Sequence, residues 1–98
     1  MLLAHAVTLA EARSYVAALA DRASSEDASA EYERVLLQLD WIHGDYVPGI
    51  TEVPGEHRDV LFAIAEQAIE DLVGHGIDAL QVELVLDMLD AAKALDAS

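Results

Sequence analysis

The chain has 98 residues, 54% of them hydrophobic, which is enough for one domain with a buried core, and we expect a single helical domain over residues 1–98. Nineteen acidic and five basic residues give a net charge of −14. Because this charge would repel nucleic-acid phosphates and anionic lipid headgroups, it argues against nucleic-acid and membrane partners.

No cysteine is present, which excludes disulfides, thiolate nucleophiles and sulfur-ligated metal sites. The opening sequence MLLAHAVTLAEAR lacks the basic start of a signal peptide. No apolar run approaches the roughly 18 residues that a membrane span needs. We therefore expect an unsecreted protein, with the cytoplasm as the default compartment.

Two amphipathic helices are predicted in the first half of the chain. Thr8 and Glu11 have the spacing of a capping box, and apolar residues then repeat at intervals of three and four. Ser24 and Ser25 offer a cap for a second helix with the same apolar period. The predicted helices 1 and 2 cover about residues 8–23 and 26–43.

The second half of the chain predicts two more helices. The first follows Pro54-Gly55 and stops at a Gly-His-Gly breaker, and Asp78 with Gln81 repeats the capping-box spacing ahead of the next. Short links predict antiparallel neighbours, so the expected fold is all-α, a small antiparallel bundle of four helices. Helices 3 and 4 cover about residues 56–73 and 79–95.

Helices 3 and 4 show apolar residues around much of their circumference. On helix 4 the apolar arc is roughly 220° wide, beside a narrow acidic stripe formed by Glu83, Asp87 and Asp90. The two helices are either the central pair of a monomer, flanked by helices 1 and 2, or the surface that joins two copies. We favour the homodimer. Its predicted interface consists of Phe62, Ile69, Val73, Leu86 and Leu89.

Leu37 and Trp41 form a separate apolar pair on helix 2, away from the side that holds Val35 and Leu39. Isolated surface hydrophobic residues are common and are often covered by a loop. Alternatively, Trp41 and Tyr46 form an aromatic anchor beside acids of the long connector over residues 44–55. The predicted partner-binding residues are Leu37, Trp41, Asp45, Tyr46, Glu52 and Glu56.

The sequence contains only weak matches to catalytic, phosphate-binding or metal-binding motifs. GDYVPGIT resembles a phosphate-binding loop in spacing only, because Ile50 stands where lysine is required and a helix precedes the loop. No serine lies in a nucleophile-elbow context, so we predict neither an enzyme nor a catalytic residue nor a cofactor. The minor alternative is a weak divalent-metal site in the 43–57 loop. Its available ligands are His43, Asp45, Glu52, Glu56 and His57.

Three interpretations of the acidity remain. The protein could bind a basic protein, as an immunity protein, antitoxin or inhibitor of a nucleic-acid enzyme does, with charge steering the encounter. It could be a homo-oligomeric assembly or scaffold subunit whose acidity serves only solubility. The acidity could also be an adaptation to a saline cytoplasm. We favour the first, a non-enzymatic acidic interaction protein with a basic partner.

Overall fold

Four α-helices make up the part of the chain that the computed structural model describes. That part is the backbone of residues 2–43, 57–74 and 77–97, with all side chains except those of residues 2–6, 42, 43 and 97. The helices pack together, and no strand occurs in these ranges, which confirms the all-α prediction. The antiparallel arrangement stays a prediction. The helices are α1 (Leu2–Asp21), α2 (Glu26–His43), α3 (Arg58–Gly74) and α4 (Ala79–Ala97).

Side-chain hydrogen bonds confirm Ser25 and Asp78 as the caps of α2 and α4, whereas the reciprocal Gln81 bond of the predicted capping box stays a prediction. Ser25 Oγ accepts the backbone N–H of Ala28 at 3.1 Å, which satisfies a donor in the first turn of α2. Asp78 Oδ1 accepts the N–H of Leu80 at 2.8 Å in the same way. Both helices therefore begin where their short polar side chains replace the missing backbone acceptors.

Helix α1 begins six residues before the predicted start. Thr8 and Glu11 lie inside the helix, so they do not form its N-terminal capping box. The residues upstream are mainly leucine and alanine, which are strong helix formers, and they extend the helix without a local stop signal. The α1 boundary prediction was wrong for this reason.

The two ends of α3 are closed by backbone hydrogen bonds. The carbonyl of His57 accepts the N–H groups of Val60 and Leu61 at 3.0 and 3.1 Å, which places the helix start just after His57. At the other end, the N–H of Ile77 donates to the carbonyl of Leu72 at 3.2 Å. This six-to-one spacing is typical of a Schellman ending, and it agrees with the predicted stop near Gly74.

The helices form a ring rather than a central pair with two flanking helices. Helix α1 packs against α2 and α3, and α4 packs against the same two helices. Among the described residues, α1 does not approach α4 and α2 does not approach α3. The smallest of the four interfaces joins α3 to α4, so these two helices are not the central pair of the bundle.

Every helix contributes to one continuous core. The members are almost entirely aliphatic or alanine, with one tyrosine and one phenylalanine, and each inward face repeats at intervals of three and four. Close packing of this kind is the main stabilising term of a helical bundle. The largest fully buried side chains are Tyr32, Leu9, Leu19, Leu39, Leu61, Ile69, Leu72 and Leu89.

None of the four described helices combines the length and the apolar content that a membrane crossing requires.

Candidate functional site

Leu37 and Trp41 project from the outer side of α2. Their side chains lie one turn apart and are 67% and 80% exposed, whereas Val35 and Leu39 on the other side of the helix are fully buried. No described loop covers the pair. A tryptophan that exposes most of its surface is unusual for a residue with so much apolar area, and such residues are enriched at binding hot spots.

The acidic residues near this pair differ in whether an arginine of the same chain already pairs with their carboxylate. Asp40 Oδ1 accepts a hydrogen bond from Arg13 Nε at 2.8 Å, which joins α2 to α1 across a largely buried arginine. Glu33, one turn before Leu37, is exposed and forms no ion pair with a described residue. The other predicted partner-binding residues, Asp45, Tyr46, Glu52 and Glu56, lie outside the described residues.

The residues predicted for the dimer interface separate into two groups. Ile69 and Leu89 are fully buried in the single chain, and Phe62 is nearly so. These three side chains are covered by the other helices of the same chain. Val73 is exposed, and Leu86 is half-buried against the edge of the core. Of the five, only Val73 and part of Leu86 therefore face outward.

Other apolar side chains of α3 and α4 are exposed instead. Helix α3 exposes Val60 near its start, and α4 exposes Leu80, Leu84 and Leu95. Leu80 is the most exposed of these, at 76%. The sequence therefore indicated correctly that α4 has apolar surface beyond the core, but it did not indicate which side chains provide it.

A buried carboxylate near the end of α4 joins three other parts of the fold. Asp96 is only 7% exposed. Its Oδ1 accepts hydrogen bonds from the Ser24 backbone N–H at 2.7 Å and from Arg58 Nη1 at 2.5 Å, and its Oδ2 accepts one from the Tyr32 hydroxyl at 3.2 Å. The Asp96 backbone carbonyl accepts the Ser24 hydroxyl at 2.7 Å. We call Ser24, Tyr32, Arg58 and Asp96 the Asp96 cluster.

The charge states of the cluster follow from these contacts. Burial alone would raise the pKa of Asp96, but the hydrogen bonds from Ser24 and the positive charge of Arg58 outweigh it, and the pKa is lowered. Burial raises the pKa of Tyr32, and the neighbouring Asp96 charge raises it further. At neutral pH Asp96 is therefore ionised and Tyr32 protonated. The cluster therefore contains an ion pair between Asp96 and Arg58, and its hydrogen bonds join the end of α4 to Ser24, to α2 and to the start of α3.

A small open pocket of about 90 Å³ adjoins the cluster. Lys93 Nζ lies 4.3 Å from the centre of the Phe62 ring at its wall, a cation–π contact between α4 and α3. Two of the five basic residues of the chain thus lie at this pocket, and both have partners there. Its lining consists of Tyr32, Arg58, Asp59, Phe62, Lys93 and Asp96.

The chain matches no protein-family model. Comparison with curated proteins and with solved structures gives no match either.

The proposed metal ligands fall mostly outside the described residues. His57 is described and exposed, whereas the side chain of His43 and the residues Asp45, Glu52 and Glu56 are not described. Within the described ranges, no group of three or more acidic or histidine side chains could hold a metal ion. The metal-site hypothesis remains a prediction about the connector.

Sequence reasoning missed the Asp96 cluster. Its residues are separated by up to 72 positions, as for Ser24 and Asp96, so no local spacing brings them together. One signal was present: Asp96 follows Val85, Leu89 and Ala92 on the buried side of α4 at intervals of three and four. An acid in such a position requires a buried partner, and Arg58 and Lys93 are the only basic residues in the second half of the chain.

Proposed function

We propose that the protein is a non-enzymatic binding module for a basic protein, of the immunity, antitoxin or inhibitor type. One observation carries the proposal: Trp41 is 80% exposed, with Leu37 one turn away, on a chain with a net charge of −14. An exposed aromatic anchor provides apolar contact area, and the excess of carboxylates attracts a positively charged partner.

The distribution of basic residues supports the proposal. Arg13, Arg34 and Arg58 each pair with an acid of the same chain, and Lys93 lies over the Phe62 ring. Four of the five basic residues therefore already lie against another side chain of the same chain, and acidic residues outnumber basic ones by 19 to 5, so carboxylates dominate the charge that an approaching protein meets. Such a surface speeds association with a basic partner and slows it with an acidic one.

The proposal is tested by co-purification followed by reconstitution. The tagged chain is isolated at low salt from the cells that produce it, and any partner is then purified and titrated by calorimetry. We expect a partner with a net positive charge, an affinity that falls as salt rises, and a loss of about tenfold or more in Leu37→Ala/Trp41→Ala.

Val7→Ala/Val60→Ala is the matched control, because it removes two exposed apolar side chains of α1 and α3. It should bind as the wild type does. A partner without excess positive charge, or an affinity that salt does not change, would contradict the proposal. If Leu37→Ala/Trp41→Ala bound the partner with unchanged affinity, the partner would not contact Leu37 and Trp41 of α2.

A second candidate is self-association through α3 and α4, as in an assembly subunit. Exposed Val60, Val73, Leu80, Leu84 and Leu95 favour it, because apolar surface on two helices can join two copies. Sedimentation over a wide concentration range tests this candidate. A dimer that high salt strengthens and that Leu80→Ser/Leu84→Ser dissociates would replace the basic-partner proposal.

A further inference from the structure

The outward side of α4 is an unpartnered helix face with a regular composition. All of its members are exposed, and they extend over about 22 Å at the rise of an α-helix. The inward side holds Val82, Val85, Leu89 and Ala92, centred about 180° away. We call the outward side the outer face of α4. Besides Ala91 and Ala94, it consists of Leu80, Glu83, Leu84, Asp87, Asp90 and Leu95.

The leucines and the acidic residues occupy adjoining halves of this face. Placed at about 100° per residue, the leucines and Ala91 fall within an arc of about 60°, and the three acids fall within the neighbouring arc of about 60°. None of Glu83, Asp87 and Asp90 forms an ion pair with a described residue. The face is therefore an apolar strip with free negative charge along one side.

The spacing of the outermost residues is that of a helix-packing seam. Leu80, Leu84, Asp87, Ala91 and Leu95 follow one another at intervals of four, three, four and four. Intervals of three and four are those at which one helix packs along another. The seam therefore fits a helical partner better than an extended peptide.

Asp87 decides between a second copy and a different partner. It lies at the middle of the seam between Leu80 and Leu95, so an in-register parallel pair, or an antiparallel pair whose two-fold axis passes near the middle of the seam, would bring Asp87 against its own copy. Two carboxylates in one interface repel each other, whereas a lysine or arginine opposite Asp87 would form a pair. Charge complementarity thus favours a basic helix.

We propose that the outer face of α4 binds a basic amphipathic helix, with apolar residues packed on Leu80, Leu84 and Leu95 and basic residues opposite Glu83, Asp87 and Asp90. The inference rests on the proposed function, because the helix is taken to belong to the basic protein partner. Helix α4 packs beside α2, the helix that holds Leu37 and Trp41.

Two synthetic peptides of 19 residues, the length of α4, serve as probes. Both present leucine at the seam intervals, and the basic peptide has lysine where the acidic peptide has glutamate. The wild type should bind the basic peptide and not the acidic one. Leu80→Ser/Leu84→Ser should weaken this binding by about tenfold or more, and Asp87→Lys should weaken it and create binding of the acidic peptide.

Leu37→Ser/Trp41→Ser is the matched control on α2 and should change the affinity for the basic peptide by less than about twofold. Circular dichroism of each variant checks that the helices are intact. Unchanged binding in both α4 variants, similar binding of both peptides, no binding of the basic peptide, or a wild-type dimer that Leu80→Ser/Leu84→Ser dissociates would each overturn the inference.

The two proposals fail in different ways. If the α4 variants bind a purified basic partner as the wild type does while Leu37→Ala/Trp41→Ala does not, the partner contacts α2 and not α4, and only the present inference fails. If no basic protein binds the chain at low salt, the proposed function itself fails.

Discussion

Helix α4 holds acidic residues in two opposite environments. Asp96 lies inside the bundle, where Ser24, Tyr32 and Arg58 together satisfy both carboxylate oxygens. Asp87 and Asp90 lie on the outer face and form no ion pair with a described residue. An aspartate on the inward side of α4 thus has a different role from an aspartate on the outer face.

The difference follows from the free energy of burial. A carboxylate removed from water loses its hydration, so it is stable inside only when hydrogen bonds and an opposite charge replace the water. An exposed carboxylate keeps its hydration and needs no partner. Asp96 therefore stabilises the fold, whereas Asp87 and Asp90 stay in water on the surface, where the proposed basic partner would contact them.

The largest expected effect contrasts the core with the outer face of α4. Leu89→Ala should lower the free energy of unfolding by about 3 kcal/mol, because Leu89 is fully buried and its truncation leaves a cavity. Leu80→Ala removes a side chain that is mostly in water and should change it by less than about 0.5 kcal/mol. Urea unfolding followed by circular dichroism measures both. Equal losses in the free energy of unfolding for the two variants would mean that Leu80 is also buried.

The next effect contrasts the two kinds of acid directly. Asp96→Ala removes three side-chain acceptor contacts and should lower the free energy of unfolding by about 2 kcal/mol or more. Asp90→Ala, on the outer face of the same helix, is the matched control and should change it by less than about 0.5 kcal/mol. If both substitutions changed the free energy of unfolding equally, the Asp96 cluster would not be stabilising the contacts of α4 with the other helices.

Acidification should remove the contribution of Asp96. Its pKa in the folded state is lowered from the ordinary value of 3.8, although burial acts in the opposite direction, because Ser24 and Arg58 favour the ionised form. The stability that this ionised form provides is fully present above about pH 5, begins to fall near the ordinary pKa of 3.8, and is lost as the pH falls through the lowered pKa. We therefore expect wild type and Asp96→Asn to differ by a constant amount from about pH 7 to pH 5 and to converge below pH 4.

A smaller effect is expected from the buried phenol. Tyr32→Phe removes one hydrogen bond to Asp96 and should lower the free energy of unfolding by about 1 kcal/mol at neutral pH. Burial, followed by the Asp96 charge, raises the pKa of Tyr32 above its ordinary value of 10.0. Because the unfolded chain ionises first, the wild type should lose stability above about pH 10 more steeply than Tyr32→Phe. Parallel alkaline profiles would contradict this assignment.

The smallest effect concerns repulsion on the outer face. Asp87 lies one turn from both Glu83 and Asp90, and like charges at this spacing destabilise a helix. Asp87→Asn should raise the free energy of unfolding by about 0.3 kcal/mol at low salt, and the gain should vanish near 1 M salt, where the Debye length is about 3 Å. A gain that persists at high salt would have another cause.

Local signals predicted the helices well where a short polar cap precedes an apolar period. The N-terminal boundaries near Ser25 and Asp78 are set by side chains that bond their own first turn, so a few neighbouring residues contain the information. The predicted helix start at Thr8 was wrong because a capping-box spacing is also a local signal. Such a spacing does not exclude a helix that has already begun at Leu2.

The amino-acid sequence alone determined that the chain is helical and acidic and that α4 has more apolar surface than one small core needs, because composition, caps and apolar period are local properties. Only the tertiary structure decided that Leu89 is core while Leu80 and Leu84 face outward, and that Asp96 meets Ser24, Tyr32 and Arg58. On a helix with a wide apolar arc, the period does not say which part the neighbouring helices will cover. That choice depends on how all four helices pack in the ring.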